Sequence, residues 1–538
     1  MVVRRILDEG GNAADAAISV LLCMGVTIPE SLGLGGGSMM VIYNATTKKS
    51  TFINARETAP AAAYRDMFNN TQTHNNRSSY GIESIAVPGD VAGYWRAFSK
   101  FGSGKITWRR LFEDAIKFAR DGFPVGQHLN DALEQNRKSI MWLKPMHQVY
   151  VNPATKDLYK VDEIFKQPVL AETLTQLANA TNPKDFFYNT LSKKILEDIY
   201  KVNAPQFPGQ KGIITRDDFL KYDVLEEEAF TYEFDNKLKV HTAQLPGAGV
   251  LLSFILRVMN KYPDLYPTAK FDQGKADLFY HRLTEAFKFA FANRMYLGDD
   301  KFDKVQGVVK NLTSDAFINH IIKEINDEKT FPSSSGYYDA KKMYNGMDKG
   351  TAHVAVLDGQ GNAVTVTSTV NLYFGSKVLS PSTGIILNDE MDDFNIGTKN
   401  EFDLPASFAN IIQPGKRPLS SMSPAIFTDD TGIRLVIGAS GGPKILTSVA
   451  YTALRQLWFG DNIKQAIDSC RVHDQLFPEK VTYEPCFPET ILRSMKQRKH
   501  NTTELPVGVR GAVVMGIARS RNNSIEANSD YRKGGTVA

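Results

Sequence analysis

The sequence predicts a mixed α+β protein, helix-rich over its first two thirds and strand-rich over its last third. Three observations carry this. Amphipathic runs at helical period, such as "TWRRLFEDAIKFARDG" and "DLFYHRLTEAFKFAFANRMYLG", dominate 80–330. From Thr351 the texture turns to alternating, β-branched stretches: "TAHVAVLD", "AVTVTSTV", "SPAIFTDD" and "IRLVIGAS". Between the two lies a polar segment, "NDEKTFPSSSGYYDAKKMYNGMDKG", whose composition at Gly350/Thr351 is that of a linker feeding a strand.

Taken in order, "RILDEGGNAADAAISVLLCMG" predicts two helices broken at Gly10-Gly11. "GLGGGSMMVIYNATTKKSTFINARETAP" predicts a hairpin leading into a loop. After the strands that follow Thr351, helices are expected near 446–470 and 488–498, then a strand around 508–517. No internal repeat or low-complexity tract is present.

With 538 residues, 42% hydrophobic and 23% charged, the chain has the composition of a globular protein able to bury a large core. Its net charge of +4 is small and its basic residues are dispersed, which gives no support for nucleic-acid binding. The apolar run at Ile18–Ile28 is interrupted and too short to span a bilayer, so it predicts a buried helix. The first residues enter a helical pattern without a cleavable signal, which taken alone points to the cytosol. Seven N-x-S/T sequons, at Asn44, Asn69, Asn76, Asn179, Asn311, Asn501 and Asn522, point the other way. The three cysteines, Cys23, Cys470 and Cys486, have no metal-ligand spacing. The odd count leaves at least one free thiol or one partner outside this chain, and the sequence leaves open whether Cys470 and Cys486 pair.

In "TAHVAVLDGQGNAVTVTST", Asp358 and Asn362 flank a turn of Gly359, Gln360 and Gly361. Centring the turn on Gln360 places Thr351 across from Thr369, within reach through the ladder. If the bond between Gly350 and Thr351 is cut, the new N-terminal threonine carries nucleophile and base together. The base is an α-amino group of ordinary pKa about 7.7–8.0. A glycine before it leaves its carbonyl open to attack and tolerates strained geometry. His353 should share a strand face with Thr351, where a packed histidine is the simpler role.

Further segments extend the pattern: "NARETAP" (54–60), "VPGDVAGYW" (87–95), "KGTAHVAV" (349–356), "STVNLYFGSKVLSP" (368–381), "GIILNDEMDDF" (384–394), "QPGKRPLSSMSP" (413–424), "GASGGPKI" (438–445) and "RKGG" (532–535). On these the chain resembles eukaryotic γ-glutamyltransferase (γ-glutamyl transpeptidase), an N-terminal-nucleophile hydrolase. The resemblance implies a four-layer αββα sandwich, self-cleaved into a large subunit (1–350) and a small subunit (351–538) that remain together as a heterodimer. It implies cleavage of glutathione and other γ-glutamyl compounds, with transfer to water or to amino acid and dipeptide acceptors. No metal or organic cofactor is implied.

Position by position, the resemblance makes Thr351 the nucleophile, Gly350–Thr351 the cleavage site and Thr369 the second threonine that contacts it. Gly441 and Gly442 match the oxyanion-hole glycines, although "GGPK" alone is an ordinary strand-to-helix turn. Arg56 matches the arginine that grips the donor α-carboxylate, a task suited to its planar fork, and Ser420 and Ser421 match hydroxyls on the same group. Asn371, Glu390 and Asp393 match the residues that hold the α-ammonium, so Arg56 is expected opposite the two acids. The run "NDEMDD" (388–393) also has the composition of a hard-cation site, but lacks the spacing of a calcium loop. Tyr373 matches a tyrosine in a loop over the site.

The family normally opens with a membrane anchor, and with a cysteine ahead of the first helix that pairs near the position of Cys23. This sequence starts inside that helix, so the expectation is a truncated form of a protein held on the extracellular face of the plasma membrane or secreted. Two other functions are compatible with such a sequence: an acylase for glutaryl amides of β-lactam type, and an inactive secreted homologue acting as a binding protein.

Overall fold

Alternation along one short strand shows how the layers are built. Strand β1 (Gly37–Asn44) sends Met39, Val41 and Tyr43 into one core and Met40 and Ile42 into another, the period of a strand buried on both faces. It pairs antiparallel with β2 (Lys49–Ala55), Ser38 opposite Ala55. This computed structural model describes residues 2–68, 77–265, 273–339, 350–395, 409–506, 511–520 and 522–537. The sequons at Asn69 and Asn76, residues 340–349 of the polar segment before Gly350 and the start of the strand expected at 508–517 lie outside the described residues.

The other strands of the large sheets follow in chain order: β3 (Leu225–Glu228), β4 (Phe230–Glu233), β5 (Lys239–Thr242), β6 (Gly350–Leu357), β7 (Ala363–Asn371), β8 (Ala425–Asp429) and β9 (Gly432–Ser440). A small sheet of β10 (Val472–His473), β11 (Val481–Tyr483) and β12 (Thr502–Glu504) intervenes before β13 (Val513–Arg519) and β14 (Ile525–Ser529). The first sheet is five-stranded, β3-β2-β1-β7-β6, and the second six-stranded, β14-β13-β9-β8-β5-β4; both are antiparallel throughout. They pack face to face, β9 lying across β6 and β7.

Helices close both outer faces. On the first sheet lie α1 (Ala13–Thr27), α2 (Asp90–Phe101), α3 (Trp108–Asp121), α4 (Gln127–Gln135) and α5 (Pro168–Asn179). Their apolar stripes meet Met40, Ile42, Ile53, Val354 and Val366 in one core. On the second sheet lie α6 (Gly249–Asn260), α7 (Gln273–Arg294) and α8 (Lys444–Leu454), joined in a larger core to Val240, Ile426, Val436 and the inner face of β1. The architecture is the expected four-layer αββα sandwich. Helix α1 takes up the Ile18–Ile28 run, capped by Asn12 with a reciprocal bond from Asp15. Among the described residues no helix is long and apolar enough to cross a membrane.

Three findings differ from the sequence expectation or add to it. Gly350/Thr351 is not a boundary between separately folding units, because each sheet takes strands from both sides of it. A texture change marks where strands begin, not which core they fill. The stretch 80–330 also holds β3 and β4, short strands with exposed or half-buried acidic residues, and the four-residue, mostly buried β5, all too brief to interrupt a helical reading. Cys470 and Cys486 form a disulfide, and Cys23 is a buried free thiol.

Candidate active site

The hairpin β6–β7 folds as its turn chemistry dictates. The carboxylate of Asp358 accepts from the backbone N–H groups of Gln360 and Asn362, and Gly361 takes a left-handed φ of 82°. Leu357 therefore faces Ala363, and Thr351 faces Thr369. A one-residue slip between Gly350 and Thr351 sets Gly350 opposite Asn371. A side chain on Gly350 would place its first carbon 2.3 Å from the Leu372 carbonyl oxygen, so packing demands glycine here.

Thr351 and Thr369 are fully buried between the sheets, their hydroxyl oxygens 3.1 Å apart. The Thr369 hydroxyl donates to the Gly350 carbonyl at 2.7 Å and accepts from the Asn371 N–H at 2.8 Å. With its one proton committed, it can only accept from Thr351, so the Thr351 O–H points at Thr369 and a lone pair is left for attack. His353, on the same face, bonds Thr367 and Thr365 through its two ring nitrogens. Burial pushes it down to about 3, so the ring is neutral and structural, as a packed strand histidine should be.

Strand β9 runs past this hairpin with its Ile437 carbonyl accepting from Thr365 and its Gly438 against the ring of His353. The strand ends two residues further on, at Ser440. There Gly441 (φ 124°) and Gly442 (φ 61°) turn into α8, both in conformations that side chains resist. Their N–H groups belong to a strand-to-helix turn, a backbone arrangement suited to an anion.

Arg56 follows β2 and is 1% exposed. Its Nε donates to the Pro418 carbonyl at 3.1 Å, two residues before Ser420. Its two terminal nitrogens bond Glu390 Oε1 and Asp393 Oδ2 directly. Arg56 and the acids are thus not at opposite sides of a cleft, as the sequence reading placed them, but in one buried cluster. Buried apposed charges close onto each other, because each alone would carry an uncompensated desolvation cost. Burial alone would lower the Arg56 guanidinium, but Glu390, Asp393 and Glu57 outweigh it and push it up. Asn371 joins this cluster to the hairpin: its backbone N–H meets Thr369, and its side-chain amide donates to the Asp389 carbonyl at 3.0 Å. Ser420 and Ser421 are buried, and the Ser420 hydroxyl accepts from the Met422 N–H.

The other acids of the run 388–393 do not face a common point. Asp392 bonds Ser78, and Asp389 is buried beside Lys377 with its carboxyl pushed well above the usual range by burial.

Sequence reasoning missed several neighbours. Arg294, at the end of α7, is held down at about 10 by burial and the charge of Arg56, opposed by Asp393. Lys533 donates to the Thr351 carbonyl and to the Ser31 hydroxyl, both at 2.9 Å. Glu30 lies 3.1 Å from His128 Nε2 of α4, and the His128 ring stands edge-on to Tyr373 at 5.6 Å between centroids. "RKGG" contained Lys533, but no local pattern says that it reaches a residue 182 positions earlier.

Comparison with known proteins agrees along the whole chain. The sequence model of the family described as Gamma-glutamyltranspeptidase matches residues 1–538. Scoloptoxin SSD14 of Scolopendra dehaani is 41% identical over 534 residues, covering 99% of this chain and 89% of that protein. Glutathione hydrolase 3 of Arabidopsis thaliana is 37% identical over 481 residues, covering 89% and 72%. Among solved structures, a cephalosporin acylase from Bacillus halodurans superposes with a TM-score of 0.81 over 100% of this chain and 93% of its own, at 23% identity, a likeness of fold.

Proposed function

The chain belongs to the gamma-glutamyltranspeptidase family and is an autoprocessed γ-glutamyl hydrolase and transferase; from that premise we propose that Thr351 is its nucleophile. The observation that carries this is the Thr369 hydroxyl, which bonds the Gly350 carbonyl and lies within hydrogen-bond distance of the Thr351 hydroxyl. In maturation, Thr351 Oγ attacks the Gly350 carbonyl carbon, Thr369 supports the oxyanion, and the C–N bond breaks as the hydroxyl proton passes to nitrogen. Water opens the resulting ester, giving a Gly350 carboxylate and a free Thr351 amine. The products are a large subunit (1–350) and a small subunit (351–538) that stay associated as a heterodimer.

In turnover the freed amine takes the hydroxyl proton while Oγ attacks the γ-carbonyl of glutathione or a related compound. The Gly441 and Gly442 N–H groups receive the oxyanion, the amine product leaves with a proton, and a γ-glutamyl ester remains on Thr351. Water or the amine of an amino acid or dipeptide then releases it. The donor's α-carboxylate binds Arg56, Ser420 and Ser421, and its α-ammonium binds Asn371, Glu390 and Asp393, with Tyr373 over the site. The pairing within the cluster supports this assignment. A zwitterionic head splits the Arg56–acid pairs and re-pairs both halves without adding net charge, whereas a glutaryl group adds an unpaired anion.

We also propose that the enzyme works outside the cytosol as a glycoprotein. The Cys470–Cys486 disulfide supports this, as do five described sequon asparagines, Asn44, Asn179, Asn311, Asn501 and Asn522, all exposed.

N-terminal sequencing of the smaller fragment, with turnover of γ-glutamyl and glutaryl anilides, tests the reading. A fragment beginning at Thr351 and a preference for the glutamyl substrate are expected. An uncleaved chain that turns over either substrate overturns it.

A further inference from the structure

Among the described residues strand β6 is the edge of its sheet, and no described strand flanks Thr351 on its outer side. The tail after β14 supplies a partner there: the Lys533 ammonium donates to the Thr351 carbonyl and to the Ser31 hydroxyl, both at 2.9 Å. The tail is anchored just before this residue. Arg532 bonds Glu484 through two nitrogens at 2.7 and 2.6 Å, and Asp530 takes Arg471 at 2.7 Å. Arg471 and Glu484 lie inside the loop closed by Cys470 and Cys486. Behind the ammonium, Ser31 passes a hydrogen bond to Glu30 at 3.1 Å. Burial pushes the Glu30 carboxyl up, but His128 and Lys533 outweigh it, and Glu30 is held below the usual range as a carboxylate.

We infer that Lys533 is a positioning residue for the nucleophile: a fixed positive charge, one carbonyl away from the new N-terminus, that keeps the Thr351 amine unprotonated and its residue oriented. This rests on Thr351 being the N-terminal nucleophile. An ammonium and a protonated amine on one residue repel, so the neutral amine, the form that accepts the hydroxyl proton, is favoured near neutral pH. The titratable groups around Thr351 are Lys533 from the tail, Glu30 after α1, His128 on α4, neutral His353 on β6, and the Asp389–Glu390 turn reached through Asn371. Lys533 stands between Glu30 and Thr351, so the cation governs the sign and Glu30 attenuates it.

The test is the pH profile of kcat/KM for mature Lys533→Met, Lys533→Arg and Glu30→Gln enzymes. Lys533→Met should move the acid limb up by about one pH unit, a loss of about tenfold near pH 6 that closes at alkaline pH. Lys533→Arg should leave the limb in place, and Glu30→Gln should move it down. Limbs that coincide in all variants, or that move the same way in Lys533→Met and Glu30→Gln, overturn the inference. If Lys533→Met does not mature, the other two carry the test: an unmoved Glu30→Gln limb overturns it. Failure of the underlying reading looks different, because Thr351→Ala would then still turn over substrate.

Discussion

The hydroxyl of Thr369 lies 3.1 Å from that of Thr351 while donating at 2.7 Å to the carbonyl on the other side of the Gly350–Thr351 bond. On the proposed mechanism one group therefore both aims the nucleophile and polarises its target. Thr369→Val should slow maturation by about 10²–10³-fold, the usual effect of losing one oxyanion donor. Thr369→Ser should restore most of it. The measurement is the time course of precursor loss on a denaturing gel.

Gly441 and Gly442 hold left-handed conformations, and a side chain at Gly441 would come 2.9 Å from the Ala512 Cα. Alanine at Gly441 must re-aim the N–H groups of the turn. Its mature form should lose about 10²-fold in kcat with KM little changed, because the donors act on a charge that develops during reaction. Steady-state kinetics on the purified heterodimer separates the two constants.

Glu390 is fully buried against Arg56. Glu390→Gln removes one acid that an α-ammonium would need and leaves the Arg56–Asp393 pair. Turnover of a γ-glutamyl anilide should fall by tenfold or more, on the order expected for one charged hydrogen bond, with the glutaryl analogue little affected. An equal fall for both substrates would detach Glu390 from ammonium recognition.

His353 titrates at about 3 in the fold, against an ordinary 6.5. As pH falls below about 6.5 the unfolded chain takes up a proton that the folded ring refuses, so stability drops. His353→Gln abolishes that contribution. Its stability deficit against the parent should shrink by about 1.6 kcal/mol between pH about 6.5 and about 5, the slope rising from about half to nearly the full 1.36 kcal/mol per unit. Urea unfolding at the two pH values measures it.

Much of this was legible in the sequence, for particular reasons. The β6–β7 hairpin is local: its turn residues and two-residue period set the Thr351–Thr369 register without knowledge of the rest of the chain. Strands β3 to β5 carry no such signal, since Glu226, Glu227 and Glu228 lie half-buried or exposed at a sheet edge and their strand is made by pairing with β2. Arg56 meets Glu390 334 positions away, and Lys533 meets Ser31 502 positions away. Contacts at that range depend on the assembled layers, so composition can propose the partners and not their geometry. That is why Arg56 was expected across a cleft from acids it touches.

The interleaving of the sheets bears on how the protein can be made. Strand β1 lies between β2, its own neighbour in sequence, and β7, which would belong to the other piece under the proposed cleavage at Gly350–Thr351. While the Gly350–Thr351 bond exists, each half is present to the other at the high effective concentration of a tethered segment. After cleavage the tether is gone, but neither half can leave without breaking a ladder through the middle of a core. On the proposed cleavage the bond is thus an assembly aid consumed by its own success. Fragments 1–350 and 351–538 produced separately and mixed would have to find each other as partly folded chains with open strand edges, where aggregation competes with pairing.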